Sequence, residues 1–220
     1  CLTAPIPAAD YAKHSEKLLL LPDLGIVSKG DVGSVLLFGA RPIDQMRDIA
    51  LPSDSSTSRA LLQWVLRRNN LDPKFHETGP DLVAMLEKSD GALLIGDRAL
   101  IAAKENPELV KLDLGAEWTQ ITGFPMVFGV FAARKDSNLS KLNRARNDMV
   151  NQYNQFLHDE SWRDEVISRT SSKLGFSISR ISEYFLVEVQ NKLDDESKEG
   201  LEHFLKEVCG MNKEIEWLSS

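Results

Sequence analysis

Between Pro42 and Pro125 short apolar strands alternate with amphipathic helices, and this alternation constrains the fold more than any other feature of the chain. Asp48–Leu51 reads as a strand, and Thr57–Arg68 sets Ala60, Leu61, Trp64 and Val65 at helical core spacing. Lys74–His76 is a second strand, Asp81–Lys88 a helix opened by Gly79 and Pro80, Gly91–Ile95 a buried strand and Arg98–Lys104 a further helix. Strands separated by helices pack back on their sheet through right-handed crossovers, so a parallel α/β sheet is expected here.

The flanks differ. Cys1–Phe38 reads as a strand end, a turn around Pro5 and Pro7, a short helix, and the strands of LLLLPDLGIVSKG and GSVLLFG. Their near-continuous apolar runs suit a sheet covered on both faces. Met126–Arg134 is another buried strand. Only helices are expected after it, at Asn138–Leu157, Ser161–Leu174, Ser179–Val189 and Ser197–Val208. The expected organisation is α/β and two-lobed: residues 1–38 and 130–220 form one lobe, and residues 39–129 form an inserted second lobe. Crossings near Ser34–Phe38 and Met126–Val130 would join them, as in a hinged binding protein with its ligand in a cleft.

Bulk properties narrow the partners. A net charge of -7 over 220 residues argues against a nucleic-acid binder, which needs a basic surface to displace counterions. No apolar run approaches the roughly 20 residues of a membrane span. Cys1 and Cys209 have neither disulfide-framework nor metal-ligand spacing, which fits a reducing cytoplasm. Cys1 could instead be the lipidated first residue of a processed lipoprotein.

Three stretches carry candidate chemistry. In SDSSTSRALLQ, the hydroxyls of Ser53, Ser55, Ser56, Thr57 and Ser58 gather before a helix, where free N–H groups and the helix dipole favour an anion. Simple helix capping would need only one of them. In SKGDVGSVLLF, Gly30 and Gly33 permit φ > 0 or close approach of backbone to a ligand, and Ser34 opens the buried strand; an ordinary turn reads the same. LLIGDRAL ends a strand in Gly96 and Asp97, where ligands of open α/β sheets sit, although Asp97 could be only a helix N-cap. The sequence has no P-loop, dinucleotide fingerprint or nucleophile elbow, and His14, His76, His158 and His203 show no metal-ligand spacing. Any reaction would therefore lean on positioning and preformed hydrogen bonds.

The succession GDVGSVLLF, SSTSRALL, LLIGDRAL and LGAEWTQITGFPMVFGVFAAR, closing on ISEYFLVEVQNKLDDESKEGLEHF, runs along nearly the whole chain. It resembles the chorismate dehydratases of the futalosine route to menaquinone and, more distantly, the 1,4-dihydroxy-6-naphthoate synthases. The resemblance implies a type II periplasmic-binding-protein fold working in the cytoplasm without metal or organic cofactor. The implied reaction eliminates water from the anionic substrate chorismate to give 3-[(1-carboxyvinyl)oxy]benzoate. It implies that Ser34 touches the substrate near the departing hydroxyl and that Ser56, Thr57 and Ser58 bind a carboxylate; the readings of the glycine turn and of the strand end place Gly33 and Asp97 at the substrate as well. The base would be the substrate's own enolpyruvyl carboxylate, in keeping with the lack of a conspicuous general base.

Two other readings stand beside it. A naphthoate synthase should carry a cleft histidine, and none of the four lies in a cleft motif; a solute-binding protein for a small carboxylate would suit a lipidated Cys1. The resemblance also implies an opening strand and a loop with a cleft asparagine, whereas this sequence starts at CLTAPIPAADY. The sequence is accordingly expected to be a fragment of a longer chain; the alternative is a protein that has lost part of its active site and with it most activity.

Overall fold

A computed structural model of the chain describes residues 1–53 and 55–219; Asp54, within the hydroxyl tract, lies outside the described residues. The chain divides into two compact units, Ser28–Met126 and the flanking Cys1–Val27 with Val127–Ser220.

In chain order the elements begin β1 (Ala4–Pro7), α1 (Ala8–His14), β2 (Leu18–Ser28), β3 (Val35–Gly39), β4 (Asp48–Pro52) and α2 (Ser56–Arg68). They continue with β5 (Lys74–Thr78), α3 (Leu82–Leu86), β6 (Gly91–Ile95), α4 (Gly96–Glu105), β7 (Val110–Asp113) and α5 (Leu114–Thr122). The remainder is β8 (Met126–Arg134), α6 (Leu139–His158), α7 (Glu160–Leu174), α8 (Ile178–Glu183), β9 (Gln190–Lys192) and α9 (Asp195–Glu207).

The flanking unit holds a sheet in the order β1-β8-β2-β9. Leu19 and Leu21 of β2 pack with Ala133 of β8, Leu142 of α6 and Leu218 in one cluster. The helices start where the sequence offers caps: Asn138, Asp159, Ser177 and Asp194 each accept a first-turn backbone N–H. Gly175 ends α7 in the left-handed conformation that a residue with a Cβ rarely adopts. Two differences from expectation appear here. The last helices are interrupted by β9, which pairs antiparallel with β2 at the sheet edge. Three polar residues, Gln190, Asn191 and Lys192, are too few to show a two-residue period. The helix expected to reach Val189 also loosens into a π turn over Tyr184–Glu188.

The Ser28–Met126 unit is a five-stranded sheet in the order β5-β4-β6-β3-β7. Residues 28–38, grouped with the other lobe in the sequence reading, belong here because β3 is hydrogen-bonded between β6 and β7. The sheet is mixed: β4 runs parallel to β5 and β6, but β3 is antiparallel to both its neighbours. A central strand such as Val-Leu-Leu-Phe-Gly is buried on both faces in either direction, so its apolar run carries no information on polarity.

Side chains alternate across this sheet. Leu36, Phe38, Ala50, Ala92 and Leu94 cluster with Leu82 and Met85 of α3 and with Ala99 and Ala102 of α4. By alternation Leu37, Ile49, Leu51 and Leu93 point to the other face and are fully buried. On the helices, α2 packs against α5, and the Trp64 and Trp118 rings lie 5.4 Å apart. Burial at roughly 25 cal/mol per Å² makes these two faces the main source of the unit's stability.

Candidate active site

Strand register brings four chain segments to one end of the Ser28–Met126 sheet. Val35, first residue of β3, pairs with Ile95, last of β6, and Leu36 pairs with Asp113, last of β7. Because β4 is parallel to β6, its carboxyl end faces the same way. The Ser28–Ser34 turn and the starts of α2, α4 and α5 therefore share this end. In open α/β sheets that is where ligands bind.

The turn is held tightly. Gly30 and Gly33 have φ of 112° and 63°, which glycine adopts without the strain a Cβ would bring. Asp113 caps α5, its Oδ1 accepting from Gly115 N (2.9 Å) and Ala116 N (3.1 Å). The same carboxylate reaches back to the turn, with Oδ2 accepting from Gly33 N at 2.8 Å and both oxygens from Val32 N at 3.1 Å. Burial pushes the Asp113 carboxyl above its ordinary value, while the N–H donors of Ala116, Val32 and Gly33 pull it down. A Cβ on Gly115 would stand 2.6 Å from both Gly30 O and Ser28 Oγ, so backbone meets backbone at this junction. Ser28 Oγ is itself buried without a hydrogen-bond partner among the described residues.

Ser34 follows directly. It is 4% exposed, and its carbonyl accepts from Gly96 N at 2.7 Å, which ties the turn to the start of α4. Gly33, expected at the substrate, donates its N–H to Asp113 and holds a left-handed φ of 63°. Asp97 sits exposed in the first turn of α4, and the N-cap of that helix is Ile95, which removes the capping role considered for Asp97.

The start of α2 is unlike most helix starts in this protein. Besides the four caps of the flanking unit, Asp81 and Asp113 cap α3 and α5 with their side chains. The N-cap of α2, Ser55, makes no side-chain cap hydrogen bond. Ser55, Thr57 and Ser58 are buried, and the buried Ser56 Oγ has no hydrogen-bond partner among the described residues. Hydroxyl and first-turn N–H groups are thus gathered at a helix start whose cap residue does not consume them, an arrangement that can receive an anion.

The remaining sequence candidates fall elsewhere in use. His76, on β5, is within 2.6 Å of Ser89 Oγ through Nε2 and ties that strand to the segment before β6. Both cysteines are free, and burial pushes the Cys209 thiol up to about 11. Among the described residues no helix is long and apolar enough to cross a membrane. Asp113 and Gly115 were not among the residues singled out from sequence. An aspartate just before an apolar helix is a readable cap signal, but its bonds to a turn some 80 positions earlier are not.

Comparison with known proteins bears on the family and the fold. A family described as menaquinone biosynthesis matches residues 3–208. The chorismate dehydratase of Thermus thermophilus is 35% identical over 142 residues, covering 58% of this chain and 52% of that protein. The chain thus spans about half the length of the curated relative it matches. A solved protein of Archaeoglobus fulgidus superimposes with a TM-score of 0.72 at 19% identity, covering 94% of this chain and 79% of that one. The periplasmic aliphatic sulphonate binding protein SsuA of Escherichia coli follows with a TM-score of 0.62 at 13% identity, covering 97% and 77%. These likenesses identify the fold as that of the periplasmic binding proteins. With the family match extending over nearly all its residues, the chain belongs to the menaquinone biosynthesis family.

Proposed function

We propose that the protein is a hydro-lyase that converts chorismate to 3-[(1-carboxyvinyl)oxy]benzoate, serving the futalosine route in the cytoplasm. The observation that carries the reading is the start of α2, where the buried Ser56 Oγ has no hydrogen-bond partner among the described residues and Ser55 makes no side-chain cap hydrogen bond. A dicarboxylate such as chorismate offers that site an anion. Support for the particular substrate comes from the name of the Thermus thermophilus relative.

In this reading Ser56, Thr57 and Ser58 hold one substrate carboxylate at the positive end of α2. The ring carbon bearing the enolpyruvyl ether loses its proton to the substrate's other carboxylate, and the neighbouring carbon loses its hydroxyl, which takes up that proton from the carboxyl group and departs as water. The electrons left by the C–H bond form the new ring double bond, and aromatisation drives the step. Ser34, at the end of the Ser28–Ser34 turn, hydrogen-bonds the departing hydroxyl. Gly33 sets the turn, and Asp97 stands at the rim of the site. The protein supplies orientation and fixed dipoles.

The direct test is conversion. The full-length protein, treated with chelator and gel-filtered, should turn chorismate into the enolpyruvyl benzoate, followed by chromatography without added metal or nucleotide. Binding without product would sink the dehydratase reading in favour of a solute-binding protein. Activity restored only by a metal would show that metal-independent chemistry is the wrong account. A second expectation concerns the anion site. Thr57→Val keeps the buried shape, so chorismate affinity by calorimetry should fall by about 1–3 kcal/mol while the melting temperature holds. Unchanged affinity would reduce the tract to a plain helix start.

A further inference from the structure

We infer that Asp113 is a positioning residue for Ser34, setting the Ser28–Ser34 turn on the start of α5; the catalytic consequence rests on the dehydratase reading. One carboxylate serves two elements. Oδ1 lies toward the helix, accepting from Gly115 and Ala116, and Oδ2 lies toward the turn, accepting from Gly33, with Val32 N shared between them. On its other side the turn is fastened by Gly96 N to the Ser34 carbonyl. Ser34 thus stands between two anchors, one of which is Asp113.

Helix capping alone would not ask for this residue. A cap needs one side-chain oxygen, and asparagine or serine provides it as well as aspartate. The second oxygen is spent wholly on the turn, accepting from Val32 N and from the left-handed Gly33. Gly115 is the complementary half of the joint, since any Cβ there would push Gly30 O and Ser28 Oγ away. The pair Asp113 and Gly115 brings the turn to the helix and sets its distance.

This asymmetry makes Asp113→Asn diagnostic. Its amide oxygen can still cap α5, where the helix dipole favours it, but its NH₂ group would face the N–H groups of Gly33 and Val32, donor against donor. In the full chain the turn should loosen while the fold persists. Backbone amide exchange at Val32 and Gly33 should quicken by about tenfold or more, with Ala116 little changed. Turnover of chorismate should fall by about a hundredfold with KM within about threefold, because a small displacement of a group needed in the transition state is read in kcat. Asp113→Ser keeps a capping hydroxyl too short to reach the turn and should give the same pattern should the asparagine variant not fold. Wild-type exchange at Val32 and Gly33 would overturn the inference, as would faster exchange with unchanged kcat. A wild-type protein that binds chorismate without converting it would sink the dehydratase reading separately, leaving the exchange rates to decide whether Asp113 positions the turn.

Discussion

Ser34→Ala should lower chorismate turnover by roughly a hundredfold or more, about 3 kcal/mol, while leaving substrate affinity near that of the wild type. The side chain it removes is a single hydroxyl on a residue already 4% exposed, so alanine fills the same space. The backbone at this position is held independently: Gly96 N donates to the Ser34 carbonyl, and Asp113 fixes Val32 and Gly33 just before it. No rearrangement of the turn is therefore expected, and the loss reports the hydroxyl itself. A bond made chiefly as the ring hydroxyl departs stabilises the transition state more than the bound substrate, so kcat should fall and KM should hold. A drop in affinity with kcat intact would make Ser34 a ground-state contact. Wild-type turnover would remove it from the mechanism. Comparison with Asp113→Asn is informative, because the two act on one group: together they should cost little more than Ser34→Ala alone, since a misplaced hydroxyl that is already absent cannot be misplaced again.

The elements that were legible in the sequence are those whose signal is local. The apolar spacing of α2, the unbroken Gly-Ala-Leu-Leu-Ile run of β6, and caps such as Asn138 before α6 each announce themselves within a few residues. The direction of β3 was hidden because burial on both faces erases the alternation that would separate its environments. β7, with the half-buried Val-Lys-Leu-Asp, and β9, with three polar residues, are too short to carry a period. The candidate site divides in the same way. A hydroxyl-rich helix start and a turn with two glycines are visible as composition. Asp113 looked like neither, because what sets it apart is a second set of hydrogen bonds across a sequence separation of 80 to 81 residues. Only the register of β3 with β7 puts its carboxylate beside the turn.

Trp118→Ala should be the most destabilising single change in the Ser28–Met126 unit, at about 3–5 kcal/mol. Trp118 is fully buried on α5, and its ring lies 5.4 Å from that of Trp64 on α2, tilted by 49°. Its Nε1 donates to Pro125 O at 3.1 Å, which anchors the chain just before β8. Truncation removes the apolar burial, the ring pair and the Nε1 bond to that carbonyl, and it opens a void between α2 and α5. Such a void relaxes only in part, because Leu37 and Leu61 around this face are themselves fully buried. For a unit of this size each kcal/mol moves the melting midpoint by about 4–8 °C, so the transition should fall by well over 10 °C. Trp118→Phe separates the contributions. It retains most of the ring and loses the Pro125 bond, so it should cost about 1–3 kcal/mol. The two variants also test how α5 supports the site at its other end, where Asp113 and Gly115 meet the turn. At a temperature where Trp118→Ala is still folded, its turnover should drop less than that of Asp113→Asn, because the cap and the turn bonds remain. A shift in stability below about 1 kcal/mol for the alanine variant would mean that the sheet face closes over the void and that the Trp64–Trp118 pair is not the centre of this core.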